Sequence, residues 1–175
     1  MIEQKLKKII RDIPDFPKPG IIFKDITPIL LNPEVCDEIV DSFIEKLSQP
    51  IDVVCAVESR GFFFGPLIAQ KLAVPFVPIR KEGKLPGDTY SHSYDLEYGS
   101  ATIEMQQGSL KEGQKILLHD DLVATGGTIM AAIELIERQK AVVGSAAFLV
   151  SLEFLDGVKT LRRKIDNTIT LVEYD

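Results

Sequence analysis

The sequence predicts an α/β fold with a mostly parallel central sheet flanked by helices. From residue 52 onward, short apolar runs alternate with segments of helical periodicity, a pattern typical of strand–helix–strand units. The apolar runs at 115–119 and 142–152 are uninterrupted, which indicates strands covered on both faces. Parallel sheets bind ligands at the carboxyl ends of their strands, so the loops after those ends are the candidate sites.

The first half of the chain is expected to hold two helices, a proline-rich loop and a short strand. Apolar residues recur at helical spacing across 2–13, which predicts an opening amphipathic helix. Three prolines within 14–19 prevent a helix there and favour an extended loop, and 21–23 is a short strand-like run. The Asn-Pro-Glu sequence at 32–34 is typical of a helix start.

The second half is expected to alternate strands with helices around one hairpin. Apolar spacing predicts helices at 62–72 and 129–136, and the proline of the first falls near its first turn, where proline is tolerated. Two segments with imperfect alternation, 89–97 and 101–106, are predicted to form a hairpin inserted on the core. The remaining expected strands cover residues 52–57, 76–79, 115–119, 142–152 and 168–172.

Composition indicates a single globular domain over residues 1–175. The chain is 45% apolar and 26% charged, which excludes a disordered chain and a collagen-like repeat. Twenty Lys and Arg residues stand against 26 Asp and Glu residues, a net charge of −6. This balance disfavours binding to nucleic acid or to an anionic membrane surface.

Cysteine usage and the absence of targeting patterns predict a cytoplasmic protein. Cys36 and Cys55 are far apart and show no metal-ligand spacing, so we expect reduced thiols, with a single disulfide as the alternative. The charged N-terminus lacks the apolar stretch of a signal peptide. No run of 18 apolar residues predicts a membrane span.

The strongest motif is Ile-Leu-Leu-His-Asp-Asp-Leu-Val-Ala-Thr-Gly-Gly-Thr at 116–128. A buried strand is predicted to end in Asp120 and Asp121, after which a Gly- and Thr-rich loop opens a helix. Backbone N–H groups, Thr hydroxyls and the helix N-terminus make such a loop a cradle for phosphate. The acids repel phosphate, so their partners are sugar hydroxyls or a metal ion. No GxxxxGK[ST] loop and no GxGxxG after the first strand is present, which disfavours P-loop and dinucleotide folds.

Two further segments carry cations to the same sheet edge. Arg60 follows the strand at 52–57, and its forked donors suit diphosphate oxygens. Residues 80–84 contain three cations in an acidic chain. Glycines and a proline nearby predict that 81–87 is a mobile lid, which closes over the anion and excludes water.

The segment 116–128 resembles the phosphoribosyl pyrophosphate (PRPP) motif of the type I phosphoribosyltransferases. Four other segments extend the resemblance, over about residues 11–155, to the adenine phosphoribosyltransferases within that family. They are Phe-Pro-Lys-Pro-Gly at 16–20, Glu-Ser-Arg-Gly-Phe at 58–62, Arg-Lys-Glu-Gly-Lys-Leu-Pro-Gly at 80–87 and Leu-Glu-Tyr-Gly at 96–99.

This resemblance implies a homodimer that uses Mg²⁺ and makes AMP and pyrophosphate from adenine and PRPP. It also implies a small hood at about 1–32, which binds the base, and a flexible lid and hairpin at about 80–106.

The resemblance also assigns roles to individual residues of this sequence. Asp120 and Asp121 would contact the ribose, and the loop would hold the 5′-phosphate through Ala124, Thr125, Gly126, Gly127 and Thr128. The pyrophosphate would be contacted by Arg60, Lys81 and Lys84, and the reacting centre by Glu97 and Tyr98. Arg60, Lys84 and Glu97 would be the catalytic residues, with Glu97 managing the proton. The adenine slot would comprise Ile22, Phe23, Lys24 and Leu152. No residue is assigned as a direct ligand of Mg²⁺, which would be bound through PRPP.

Three residues depart from the family pattern. His119 replaces an aliphatic residue, and we expect it to be packed beside the sheet. Glu82 weakens the positive field of the lid, and Ser151 replaces an acid or amide before Leu152. Two other functions stay open from the sequence: a phosphoribosyltransferase for a 6-oxopurine or orotate, and a regulator that binds PRPP without chemistry.

Overall fold

The computed structural model describes residues 1–95 and 99–175 and contains one seven-stranded sheet with helices on both faces. The strands are β1 (Arg11–Pro14), β2 (Ile22–Asp25), β3 (Val53–Val57), β4 (Phe76–Lys81), β5 (Thr89–Asp95), β6 (Ser100–Gln106), β7 (Lys115–Val123), β8 (Val142–Leu152) and β9 (Asn167–Tyr174). The helices are α1 (Ile2–Ile9), α2 (Pro33–Glu45), α3 (Gly65–Leu72), α4 (Gly127–Arg138) and α5 (Gly157–Leu161).

The sheet order is β5-β6-β4-β3-β7-β8-β9. Strands β4, β3, β7, β8 and β9 are parallel neighbours, whereas β5 and β6 are antiparallel to each other and to β4. The predicted α/β fold with a mostly parallel sheet is therefore confirmed. The hairpin β5–β6 lengthens the sheet by pairing with β4, whereas we expected an insertion placed on the core.

Two apolar cores lie on opposite faces of the sheet. Helices α1, α2 and α3 cover one face, and α4 and α5 cover the other. All five residues of β3 are buried, as predicted for a central parallel strand. The predicted cap of α2 is confirmed, because the side chain of Asn32 accepts a hydrogen bond from the backbone N–H of Val35 at 3.2 Å.

Two element boundaries differ from the sequence prediction. Helix α1 ends at Ile9, and Ile13 instead pairs with Phe23 in a two-stranded sheet formed by β1 and β2. This sheet lies within the predicted hood at about 1–32 and is the part called the hood below. Strand β7 continues past His119 to Val123, because the long strand β8 supplies parallel partners along its whole length. Asp120 and Asp121 therefore lie inside β7 and do not follow it.

No helix within residues 1–95 and 99–175 is long and apolar enough to cross a membrane. Both cysteines are free thiols, which confirms the expectation drawn from their spacing. Burial raises the pKa of the Cys55 thiol, so this cysteine behaves as a small apolar side chain.

Candidate active site

The segment predicted to be a phosphate cradle, called the cradle below, lies where β7 passes into α4. A concave space of ≈ 190 Å³ is lined by Asp120, Leu122, Val123, Ala124, Thr125, Gly126, Gly127, Thr128 and Ile129. Gly126 has a φ of +85°, a left-handed conformation that favours glycine. It is also the N-cap of α4, so the cradle opens onto the positive end of that helix.

Gly157, the first residue of α5, packs against the backbone of the cradle. A Cβ built on Gly157 would lie 2.1 Å from the carbonyl oxygen of Ala124 and 3.0 Å from the backbone nitrogen of Gly126. Only glycine permits two backbone segments to approach this closely. The sequence analysis did not identify Gly157, because its partners lie more than 30 positions away.

The two acids, Asp120 and Asp121, lie at the edge of the cradle, where Asp121 is buried. Asp120 Oδ1 accepts a hydrogen bond from the backbone N–H of Asp121 at 2.8 Å. Burial, and then the charge of Asp121, raises the pKa of Asp120 well above its usual range. Burial also raises the pKa of Asp121, although the guanidinium of Arg60 opposes this rise. The pair therefore holds a proton more readily than ordinary carboxylates do.

Arg60 connects the acid pair to the hood. Its Nε lies 3.0 Å from Asp121 Oδ2, a close ion pair that is not aligned as a hydrogen bond. The guanidinium also lies 4.7 Å from the ring centroid of Phe23, a cation–π arrangement. In addition, Nη1 donates a hydrogen bond to the carbonyl oxygen of Lys24 at 3.4 Å. The structure thus brings together four of the residues singled out from the sequence.

The hood presents the predicted base-binding residues beside Arg60. The rings of Phe16 and Phe23 meet edge to face, with centroids 5.1 Å apart. The ammonium of Lys24 bonds to Asp12 at 2.7 Å and lies 3.7 Å from the ring centroid of Tyr174. The backbone of Lys24 pairs with Asp12 of β1, and its carbonyl oxygen lies next to Arg60. Ile22 is exposed, and Leu152 packs against the core that α1, α2 and α3 cover.

The predicted lid is the turn that joins β4 to β5. Glu58, directly after β3, pairs with Arg80 through Nε and Oε2 at 3.0 Å and accepts the backbone N–H of Lys81 at 3.1 Å. Lys81 and Lys84 themselves are exposed. Arg80 is therefore used to hold the turn, and mobility of 81–87 stays a prediction.

A pair of hydroxyl groups joins the hairpin to the cradle. Thr128 Oγ1 donates a hydrogen bond to the hydroxyl of Tyr94 on β5 at 3.0 Å. A residue of the predicted phosphate loop is thereby tied to the strand that leads to Glu97 and Tyr98. Those two residues lie outside the described part of the chain.

His119 is a packed core residue, as expected. It is completely buried between the rings of Phe43 and Phe64, and its Nδ1 lies 2.9 Å from the carbonyl oxygen of Ala147. Burial lowers the pKa of His119 to about 4, which the bond to Ala147 only partly opposes. The imidazole is therefore neutral in the folded protein at neutral pH.

This burial predicts a loss of stability in mild acid. The unfolded chain binds a proton at His119 below a pH of about 6.5, whereas the folded chain does so only near 4. Stability falls as the pH drops between these values, by roughly 1 kcal/mol per pH unit. Urea unfolding of the wild type and of His119→Leu from pH 7 to 4 measures the difference, because the variant lacks this slope. Parallel curves for the two proteins would contradict the assignment.

Comparison with known proteins identifies the family. The family model of the phosphoribosyl transferase domain matches residues 26–170. A relative from Carboxydothermus hydrogenoformans, an adenine phosphoribosyltransferase, is 52% identical over 171 residues, which cover 97% of this chain and 99% of the relative. The chain belongs to the adenine phosphoribosyltransferase family.

Solved structures of other adenine phosphoribosyltransferases share the fold. The crystal structure from Thermoanaerobacter pseudethanolicus superposes with a TM-score of 0.94 at 43% identity, covering 99% of this chain and 100% of that one. The Trypanosoma brucei enzyme, solved with AMP, pyrophosphate and ribose-5-phosphate, gives a TM-score of 0.89 at 30% identity. This match covers 98% of this chain and 79% of that one.

Three polar residues, Glu58, Tyr94 and Glu104, have contacts that no local sequence pattern predicts. Glu58 was seen only as part of a motif, and Tyr94 only as a strand residue. Glu104, on β6, is 5% exposed and forms hydrogen bonds with the turn between β4 and β5. Their partners are distant in sequence, so no local pattern indicates their roles.

Proposed function

We propose that this chain transfers the 5-phosphoribosyl group from PRPP to adenine, giving AMP and pyrophosphate. The observation that carries the proposal is the position of Arg60, which contacts Asp121 on one side and Phe23 and Lys24 on the other. A ribose bound at the acids and a base bound at the hood would meet beside this one side chain. Family membership and the cradle at the start of α4 support the same reaction.

In this proposal the cradle binds the part of PRPP that does not react. The backbone N–H groups from Ala124 to Thr128 and the hydroxyls of Thr125 and Thr128 bind the 5′-phosphate. Asp120 and Asp121 accept hydrogen bonds from the ribose hydroxyls. Their raised pKa values mean that these donors stabilise carboxylates that otherwise tend to take up a proton.

The other half of the site stabilises the leaving group. Breaking the bond from C1′ to pyrophosphate develops positive charge on the ribose and negative charge on the departing diphosphate. Arg60, Lys81 and Lys84 bind that diphosphate, an electrostatic contribution that is often the largest in catalysis. Glu97 and Tyr98 act at the reacting centre, where Glu97 takes the proton released by adenine.

Mg²⁺ fits the donor set of this site. It prefers phosphate oxygens, which the diphosphate of PRPP would offer beside the acid pair. Within residues 1–95 and 99–175, no group of three His, Cys, Asp or Glu residues is placed to hold a metal by itself. Mg²⁺ bound with PRPP would neutralise charge on the leaving diphosphate.

Adenine is held in the slot formed by Ile22, Phe23, Lys24 and Leu152. Adenine presents an amino donor at position 6 and an acceptor at ring nitrogen 1, whereas 6-oxopurines reverse both. A backbone carbonyl and an N–H group of the hood read this pattern. The carbonyl of Lys24 accepts a hydrogen bond from Arg60, which places this backbone group beside the side chain that joins the two halves of the site.

We further propose a cytoplasmic homodimer. Free thiols at both cysteines agree with a reducing compartment. An apolar groove of ≈ 630 Å³ between α2 and α3 is lined in part by Leu30 and Leu67, which are both exposed. A second copy of the chain would cover such a surface.

The test is AMP formation measured with each free base in turn. We expect adenine to exceed hypoxanthine and guanine in kcat/KM by about 10⁴-fold, because a mismatched base leaves buried polar groups unpaired. Phe23→Ala should weaken adenine binding through lost stacking and leave the choice of base unchanged. Use of hypoxanthine or guanine within tenfold of adenine overturns the proposal, and orotate as the best substrate points to the other transferase class. PRPP binding without turnover indicates a regulator.

A further inference from the structure

A buried carboxylate holds the turn that carries Lys84. Glu104, on β6, is only 5% exposed. Its Oε1 accepts the backbone N–H groups of Lys84 at 3.1 Å and Leu85 at 3.2 Å, and its Oε2 accepts the hydroxyl of Thr89 at 3.3 Å. Both oxygens of this side chain thus accept hydrogen bonds from the turn and from the first residue of β5.

The same turn is held from its other side. Arg80 donates to the carbonyl oxygen of Lys84 at 3.0 Å and is itself fixed by Glu58 at 3.0 Å. The N–H and the C=O of Lys84 are therefore both bonded to charged side chains, which make stronger hydrogen bonds than neutral groups do. The backbone of Lys84 is thus bonded on both sides, while its side chain is exposed.

A carboxylate at this position is costly to bury and supplies acceptors in return. Glu104 lies beside Arg80 and Ser91, its partners on the neighbouring strands. Its buried apolar neighbours Ile103 and Met105 point instead to the opposite face of the sheet. Burying a charge is costly, and apolar residues of similar volume often replace buried charges without loss of stability. What a carboxylate supplies, and an apolar side chain does not, is a fixed conformation of the turn.

We propose that Glu104 is a positioning residue, which presents Lys84 to the diphosphate of PRPP. This inference rests on the proposed function, since it takes the diphosphate as the partner of Lys84. A lysine has a long and flexible side chain, so a well-defined backbone position reduces the number of positions that its ammonium can take relative to the anion. Glu104 acts through Lys84 and does not touch the substrate.

The first measurement compares KM for the two substrates in Glu104→Leu and Glu104→Gln. Leucine fills the volume but removes both acceptors, so we expect KM for PRPP to rise about tenfold and KM for adenine to change less than twofold. Glutamine keeps an acceptor oxygen for Lys84 and Leu85, so it should restore KM for PRPP to within threefold of the wild type. Glu112→Leu is the matched control, because Glu112 is exposed and forms a surface ion pair with Lys140.

The second measurement tests whether Glu104 acts through Lys84. In a cycle with Lys84→Ala, the double variant should bind PRPP no more weakly than Lys84→Ala alone. Amide hydrogen exchange at Lys84 and Leu85 should accelerate in Glu104→Leu and not in Glu112→Leu. Glu104→Asp, which keeps the charge but withdraws the oxygens, carries the same tests if the leucine variant does not fold.

Three results would overturn the proposal: an unchanged KM for PRPP, an equal rise of KM for both substrates, or additive effects in the cycle. Calorimetric binding of inorganic pyrophosphate separates this proposal from the proposed function. A wild type that makes no AMP, but loses pyrophosphate affinity about tenfold on Glu104→Leu, refutes the function and supports the positioning role. A wild type that binds no pyrophosphate refutes the positioning role.

Discussion

Asp120→Asn is expected to lower kcat by about 10²-fold while it stabilises the folded protein. The amide keeps the shape of the side chain and an oxygen for the N–H of Asp121. It removes a carboxylate whose charged form is disfavoured by burial and by the charge of Asp121, which together raise the pKa of Asp120, so unfolding should require a higher temperature. It also removes a preorganised charge beside the ribose, where positive charge develops in the reaction, and one such group is worth about 10²-fold or more.

Steady-state kinetics and thermal unfolding of the same preparation test this prediction, with Thr128→Ala as the contrast. In the proposed function, Thr128 binds a phosphate whose charge does not change during the reaction. Its loss should therefore raise KM for PRPP and leave kcat nearly unchanged, the result of uniform binding. Equal losses of kcat in both variants would show that the acids and the loop do not have separate roles.

Gly157→Ala is expected to damage the cradle although Gly157 lines no part of it. The added Cβ would lie 2.1 Å from the carbonyl oxygen of Ala124 and 3.0 Å from the backbone nitrogen of Gly126. Both are backbone atoms, so neither can rotate away as a side chain could. We expect a loss of about 3 kcal/mol in the free energy of unfolding, at the upper end of typical overpacking. A shift of about 1 Å in the phosphate loop should also cost about 10²-fold in kcat/KM for PRPP.

Urea unfolding and PRPP titration measure these two effects. Lys159→Ala is the matched control, since this lysine lies on α5 with its side chain 72% exposed. A Gly157→Ala variant with the stability and PRPP affinity of the control would show that α5 does not support the cradle.

The cradle was predictable because its parts are contiguous. Residues 116–128 contain the strand, the acids, the glycines and the helix start in one segment, and each part favours the same local structure. The apolar runs at 115–119 and 142–152, which lie in β7 and β8, predicted the parallel sheet for a similar reason. Continuous burial on both faces leaves few other architectures.

The supports of the site were not predictable, because they depend on contacts between distant segments. Glu104 bonds to residues 15 to 20 positions earlier, and in the sequence it is one polar residue in a hairpin strand. The extension of β7 through Asp120 and Asp121 depends likewise on its pairing with β8. Local patterns do not contain this information, so the strand appeared to end at His119.

The position of Arg60 makes the two halves of the site energetically dependent on each other. Its guanidinium is shared among the ring of Phe23, the carbonyl of Lys24 and the carboxylate of Asp121. In the proposed reaction, an anion that drew this group away would uncover the Phe23 ring and free the Lys24 carbonyl, and a base stacked on the ring would displace the guanidinium towards the anion. Linkage requires that each ligand alter the affinity for the other by the same factor. The affinity for one substrate therefore has a definite value only when the occupancy of the other is stated.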